Sequence, residues 1–166
     1  MSVSLKLQQI ENNLVNLLFK LISSQSLCRY IYYLDNDPLS TSKSDVEGTN
    51  LINENIILKP FDQTILTESK VKLFINPLEG NLRKKPTDEV KFTIDICCPH
   101  SDWVISGQGH LRPFRIAKYI SELIDGQNEI MGIGQLELEY FKIYKLSENY
   151  SALTLFIKVN SVTMKN

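Results

Sequence analysis

The apolar positions of the N-terminal segment recur with the period of an amphipathic helix. From Leu7 to Leu21 the leucines and isoleucines are spaced alternately three and four residues apart, which places them on one face of an α-helix. Leu18 and Ile22 widen this apolar stripe. We therefore predict a helix over residues 4–23 that packs on a sheet, and a contribution of the same helix to a subunit interface stays open.

A strand, a loop and a helix follow one another between Asp88 and Gly126. The apolar residues of 89–98 alternate with polar ones, which predicts a strand with one face on a core and the other toward polar surroundings. Pro113 suits the first turn of a helix because its missing N–H would be unpaired there anyway. Gly126 is suited to end that helix in the left-handed conformation, so we predict a helix over residues 111–126.

Five further segments have the composition or the alternation of strands. The segment CRYIYYL is β-branched and aromatic, and the last two segments alternate on either side of the turn Ser147–Asn149. We predict that the third segment pairs antiparallel with strand 89–98 as a hairpin. The five segments are Cys28–Leu34, Ile56–Leu58, Lys70–Asn76, Ile133–Leu146 and Ser151–Val162.

The order of these elements predicts an α+β fold, a mostly antiparallel β-sheet with an N-terminal helix and a second helix packed on it. A chain of 166 residues is expected to form a single domain, residues 1–166. It carries a long polar loop at about 36–55, of a kind that is commonly disordered or a binding element, and that could order only against a neighbour. In the last hairpin the apolar register shifts near Tyr140, which predicts a β-bulge.

Composition narrows the function classes. The net charge is −1, from 18 basic and 19 acidic residues, so nothing in the totals indicates binding to nucleic acid or to a membrane surface. The sequence has no run of about 18 apolar residues that would predict a transmembrane helix. The first residues lack the compact apolar core of a signal peptide, and we expect an intracellular protein.

The cysteines and histidines around the central strand are the most chemically suggestive cluster. Adjacent Cys97 and Cys98 should point to opposite faces of a strand, so we expect one buried and one exposed thiol that cannot share a metal. One cysteine with His100 and His110 is a ligand short of the tetrahedral set that zinc prefers. The sequence shows neither a lowered thiol pKa nor an oxyanion site for a Cys–His nucleophile pair. We therefore expect no catalytic residue, no metal, no cofactor and no enzymatic activity.

Six residues are candidates for contacts with other molecules. A basic loop tip is either solvated or an electrostatic contact to an acidic partner or to DNA backbone. The single tryptophan either pins its loop to the core or anchors an interface. Two arginines near the start of the second helix gain no stability from the helix dipole, which is positive there. We therefore expect them to have acidic partners elsewhere, and a neighbouring subunit is one candidate source of these partners. These residues are Arg83, Lys84, Lys85, Trp103, Arg112 and Arg115.

Three segments resemble the small neck proteins of long-tailed bacteriophages, specifically tail-terminator or tail-completion proteins. They are FTIDICCPHSDW (Phe92–Trp103), RPFRIAKYISELI (Arg112–Ile124) and GIGQLELEYF (Gly132–Phe141). In element order the resemblance covers about residues 4–162.

The resemblance implies a non-enzymatic structural subunit of the virion neck, which caps the tail tube and joins it to the head connector. It implies a ring homo-oligomer, expected to be a hexamer, in a virion assembled in the host cytoplasm. The implied partners are other copies of the chain, a tail tube protein and a head-completion or connector protein. DNA would pass through the lumen without sequence-specific binding, and no membrane is involved.

Two rival function classes stay open. One is a small α+β enzyme or ligand-binding domain that uses the His100–His110 loop, which would require a nearby pocket with a perturbed titrating group. The other is a regulator that binds nucleic acid through Arg83–Lys85. An isolated basic tripeptide falls far short of the basic stripe that such proteins carry.

Overall fold

The computed structural model describes residues 3–62, 64, 66, 68–80, 90–125 and 134–161. The α-helices of this part of the chain are α1 (Val3–Ile22), α2 (Gln25–Tyr32) and α3 (Arg112–Ile124). Its strands are β1 (Ile56–Ile57), β2 (Lys72–Gly80), β3 (Val90–Pro99), β4 (Val104–Ile105), β5 (His110–Leu111), β6 (Gly134–Lys145) and β7 (Tyr150–Ser161). Short 3-10 helices span Gly48–Leu51 and His100–Asp102.

A five-stranded sheet with the order β1-β2-β3-β7-β6 organises the described residues. Only β1 pairs in parallel, with β2, and the other neighbours are antiparallel. The three helices contribute to one large apolar cluster on one face of the sheet, and a smaller cluster around Phe74, Cys97 and Tyr150 lies on the other. The predicted α+β class is confirmed. Strands β4 and β5 form a separate small hairpin.

Several predicted elements are confirmed at close to their predicted bounds. The N-terminal helix, the helix with proline in its first turn, and both long hairpins are present. The predicted bulge is also present, because the pairing of β6 with β7 shifts register between Leu138 and Tyr140. Gly126, predicted to end α3, lies outside the described residues.

The strand predicted at Cys28–Leu34 is wrong, because this segment lies mostly in helix α2. The Ser24 side chain caps the helix by accepting a hydrogen bond from the backbone N–H of Leu27 at 3.3 Å. Four residues of α2 are buried in the core of the protein: Leu27, Cys28, Tyr30 and Ile31. This tertiary burial and the cap override the strand preference of the aromatic and β-branched residues.

The strand predicted at 89–98 is confirmed as β3, but the prediction that only one of its faces packs on a core is corrected. On its second face Lys91 and Asp95 are partly exposed, whereas the other residues are buried. Thr93 and Cys97, on the face opposite the helices, are both buried, as is Cys98. The prediction of one buried and one exposed cysteine is therefore corrected. Alternation alone could not reveal that the second face of the strand is covered as well.

The polar loop at 36–55 is held by its own chain. The guanidinium of Arg29 on α2 donates to the backbone oxygens of Ser40 and Lys43 and to the carboxylate of Asp45, at 2.9 to 3.2 Å. The side chain of Gln25 exchanges two hydrogen bonds of 2.8 Å with the backbone of Val46. Contacts within the chain therefore hold this loop in place, whereas the sequence left open that it is disordered or that it orders only against a neighbour.

Gly48 allows the end of this loop to approach helix α1. A β-carbon at Gly48 would lie 2.3 Å from the backbone oxygen of Ile22, which is too close for two non-bonded atoms. We expect Gly48→Ala to lower the free energy of unfolding by about 2 kcal/mol or more because backbone must move. Gly80→Ala is the matched control, since its β-carbon would meet ordinary contacts at 3.6 and 3.7 Å. Urea unfolding of both variants checks this, and equal stabilities would contradict it.

Candidate functional site

Strand β6 forms one edge of the main sheet. It is 12 residues long, and on its outer side residues 140–145 pair with no strand of the described chain. Long edge strands present unpaired N–H and C=O groups that other chains can bind, and proteins usually shorten, twist or charge them. The bulge between Leu138 and Tyr140 leaves the second half of β6 as the open part of this edge.

The open half of β6 exposes apolar side chains on both faces, together with Lys142 and Lys145. We name residues Tyr140–Lys145 the β6 edge patch. Phe141 and Ile143 pair with Leu155 and Leu153 of β7, whose side chains lie in the helix-covered core. Tyr140 and Tyr144 therefore point to the opposite face. The exposed fractions are 49% for Tyr140, 51% for both Phe141 and Ile143, and 42% for Tyr144. Such an exposed apolar edge is typical of a surface that is covered in the functional state.

Neighbouring rings hold the β6 edge patch in place. The ring of Phe141 meets Phe114 of α3 edge-on, with centroids 5.5 Å apart. The ring of Tyr140 stacks on Phe156 at 4.3 Å, and Lys142 lies 5.8 and 5.9 Å above these two rings. Aromatic side chains already fixed in this way lose little conformational freedom on binding, which favours them as interface anchors.

A groove of about 690 Å³ lies on the other side of the protein, between α2, the polar loop and the start of β1. We name it the α2 groove. It has an apolar floor and a mostly acidic rim, with Asp45, Glu47 and Glu54 against one lysine, Lys70. Its lining residues are Ile31, Tyr32, Tyr33, Leu34, Ser44, Asp45, Val46, Glu47, Asn50, Leu51, Glu54, Asn55 and Lys70.

Arg112, predicted as an interface residue, is buried within its own chain and is only 1% exposed. Its guanidinium donates to five backbone oxygens at 2.8 to 3.2 Å, those of Tyr30, Tyr33, Leu34, Asp35 and Asp102. A guanidinium has five N–H donors, so this side chain is saturated. We call this set of bonds the Arg112 clamp, and we remove Arg112 from the interface candidates.

The Arg112 clamp joins the end of α2 to the start of α3. Four of its five acceptors follow or end α2, where the helix leaves carbonyls unpaired and the dipole is negative. Burial lowers the pKa of Arg112, while Cys98, Asp102 and Asp35 nearby act in the opposite direction. The sequence did contain a signal, since Arg112 stands at a helix start where it gains nothing locally. Its acceptors are backbone groups, which a search for acidic partners could not find.

Of the remaining interface candidates, the structure describes Trp103 and Arg115. Trp103 is half-buried and packs against the large core cluster, and its backbone oxygen accepts a 2.8 Å hydrogen bond from the N–H of Arg112, which fits the pinning role considered for it. Arg115 is half-buried and has no hydrogen bond or salt bridge to the residues that the structure describes. Arg83, Lys84 and Lys85 lie outside the described residues.

The cysteine and histidine cluster does not come together as a site in the described residues. Burial raises the pKa of Cys97 and of Cys98, which leaves both thiols protonated and unreactive. The imidazole Nε2 of His100 lies 2.8 Å from the hydroxyl of Ser151, whereas His110 is in the β4–β5 hairpin. Within the described ranges no three His, Cys, Asp or Glu side chains are grouped as a metal site.

The face of the sheet opposite the helices carries one partly buried acid, Asp95. It lies in a small cavity of about 250 Å³ with Thr93, Thr154, Phe61 and Phe156. The hydroxyl of Thr154 donates to its carboxylate at 2.6 Å. Burial raises the pKa of Asp95, and the Thr154 hydrogen bond offsets part of that shift.

The model of the YomW family matches residues 24–159, and the chain belongs to this family. The matched region begins at the cap of α2 and ends in β7, so it includes the Arg112 clamp, the α2 groove and the β6 edge patch. The family carries a phage-like name of the SPbeta-prophage type, which points to a phage origin. No curated protein matches the chain. Among the helices of the described ranges, none has the length and apolarity needed to span a bilayer.

We expect Arg112→Lys to lower the free energy of unfolding by about 3 kcal/mol or more. Lysine offers three donors from a single point, so buried carbonyls would lose their partners. Arg115→Lys is the matched control and should stay within about 0.5 kcal/mol of the parent. Guanidinium unfolding of the two variants measures the difference. Similar stabilities of the two would contradict the clamp.

We expect Asp95→Asn to stabilise the protein at pH 7. Because the folded-state pKa of Asp95 is raised, its ionised form disfavours folding above that pKa, and this penalty disappears as the pH falls below the unfolded value of about 3.9. The asparagine oxygen can still accept from Thr154. Unfolding free energies measured between pH 3 and pH 8 should therefore diverge as the pH rises, and parallel curves would contradict the prediction.

Proposed function

We propose that this YomW-family chain is a structural subunit of a bacteriophage particle that assembles with copies of itself into a ring. The observation that carries the proposal is the β6 edge patch, a sheet edge with two exposed apolar side chains on each face. A protein that works as a monomer protects such an edge by charge, proline or a covering loop, and the β6 edge patch does carry Lys142 and Lys145. Four large apolar side chains nevertheless stay exposed beside these lysines. Their exposure supports a partner that covers them.

The neck of the particle is the location that the sequence resemblance favours. A tail-terminator role would place the ring on the end of the tail tube, in contact with the tube protein below and with a head-completion or connector protein above. DNA would pass through the lumen without sequence-specific contacts, and the subunit would act in the virion after assembly in the host cytoplasm. The phage-type family name supports this setting at the level of phage origin.

The subunit is proposed to act by binding alone, without catalysis. Within the described residues the two thiols of β3 are buried with raised pKa values, and His100 is hydrogen-bonded to Ser151. Neither the state of these thiols nor the hydrogen bond of His100 favours the rival hypothesis, in which the His100–His110 loop is an active site. An assembly role needs only complementary surfaces, and the chain offers the β6 edge patch as one of them.

We expect the double variant Phe141→Lys and Ile143→Lys to lose self-association. With Lys142 and Lys145 already present, the two further lysines replace both apolar side chains on one face of the patch and put charge into any apolar contact there. Light scattering of the parent protein at two concentrations should give a discrete multiple of the 19.1 kDa chain, near six copies, and the double variant should give a monomer.

Phe19→Lys serves as the control, because Phe19 is 54% exposed on α1 and lies outside the β6 edge patch. It should assemble like the parent. The circular dichroism and unfolding midpoints of the variants should match, which separates lost assembly from lost folding. A parent that is monomeric at both concentrations and also fails to form rings on isolated tails would overturn the proposed function.

A further inference from the structure

We propose that the α2 groove receives the β6 edge patch of a neighbouring copy, so that one contact repeated head to tail closes the ring. This inference rests on the proposed function and adds to it the second surface and the partner that it binds. A closed ring requires two different, complementary surfaces on each subunit. The β6 edge patch and the α2 groove are such a pair.

The two surfaces lie at opposite edges of the main sheet. The α2 groove is lined by Glu54 and Asn55, which directly precede β1, and by Lys70 near the start of β2. Strand β6 is at the other end of the order β1-β2-β3-β7-β6. Four spacings of about 4.8 Å separate the edge strands by about 19 Å. A subunit can therefore bind one neighbour through each edge without the two neighbours overlapping.

The charges of the two surfaces are complementary. The β6 edge patch has the sequence YFKIYK, with Lys142 and Lys145 and no acid. The α2 groove carries three carboxylates against one lysine. Asp45 is already paired with Arg29 at 2.9 Å, whereas in the described chain Glu47 and Glu54 have no cation within salt-bridge distance. In the proposed contact these two carboxylates would pair with the two lysines, which lie on opposite faces of β6 and also lack a carboxylate partner in the described chain.

The apolar parts of the two surfaces also match. The floor of the α2 groove includes Leu34, Leu51 and the ring of Tyr32, which is 57% exposed. A volume of about 690 Å³ is enough for several side chains of an edge strand. An alternative contact, β6 against β6 across a two-fold axis, would bring the like-charged lysines of two copies together, which is unfavourable. It would also close a dimer and leave the groove empty.

The test reverses the charges on each surface separately. One variant carries Glu47→Lys and Glu54→Lys in the groove, and another carries Lys142→Glu and Lys145→Glu in the strand. We expect each variant alone to weaken self-association at least about tenfold, since both attractions become repulsions. The chain with all four changes should assemble again, and an equimolar mixture of the two separate variants should form mixed rings. Native mass spectrometry and light scattering report both results.

Matched controls carry the same charge changes on other exposed positions. Lys20→Glu with Lys118→Glu matches the strand variant, and Glu11→Lys with Glu122→Lys matches the groove variant. Both controls should assemble like the parent.

The outcomes separate this inference from the proposed function. If the parent and the groove variant assemble equally well, the proposed ring is kept, but the α2 groove is not its second surface and the inference is overturned. If the groove variant forms stable dimers while the strand variant does not, β6 pairs with β6 and the inference is overturned. A parent that never assembles, in solution or on tails, overturns both. Recovery in the four-fold variant, with neither separate variant assembling alone, would establish the head-to-tail contact.

Discussion

The buried guanidinium of Arg112 is the interaction on which the two candidate surfaces depend. It saturates its five donors with backbone oxygens, four of them at the end of α2 or just beyond it. This fixes α2, whose Arg29 and Gln25 in turn hold the polar loop that forms one wall of the α2 groove. Two residues after Arg112, Phe114 packs edge-on against Phe141 of the β6 edge patch. One buried cation therefore connects the groove to the strand.

Removing such a cation from water is expensive, and it is tolerated here because every donor has an acceptor. No carboxylate is needed, since the unpaired carbonyls at the end of α2 carry the compensating partial charge. Arginine is suited to this position because its planar group reaches several carbonyls at once, whereas lysine acts as a single point. The same hydrogen bonds satisfy the carbonyls at the end of α2. The end of the helix and the Arg112 guanidinium therefore stabilise each other.

Periodicity predicted most of the elements, and the failures have a common physical cause. The helices α1 and α3, the two long hairpins and the bulge near Tyr140 follow from local patterns, which depend on residues close in sequence. The segment Cys28–Leu34 was taken for a strand because the burial that makes it a helix comes from distant residues. The Arg112 clamp joins residues about 80 positions apart through backbone oxygens, and no side-chain pattern records such acceptors. The bulge was predicted, but its consequence, an edge strand with apolar side chains on both faces, became visible only in the sheet order.

Electron microscopy of the purified full-length protein tests the ring most directly. Negatively stained particles sorted into class averages should show closed rings with a central opening and six repeats around it. A closed ring is the arrangement expected if opposite edges of the sheet bind head to tail and the rotation closes, and the number six is the one that the resemblance to tail-terminator proteins implies. Class averages that show two-fold dimers, open filaments or only single subunits, on tails as well as in solution, would contradict the account.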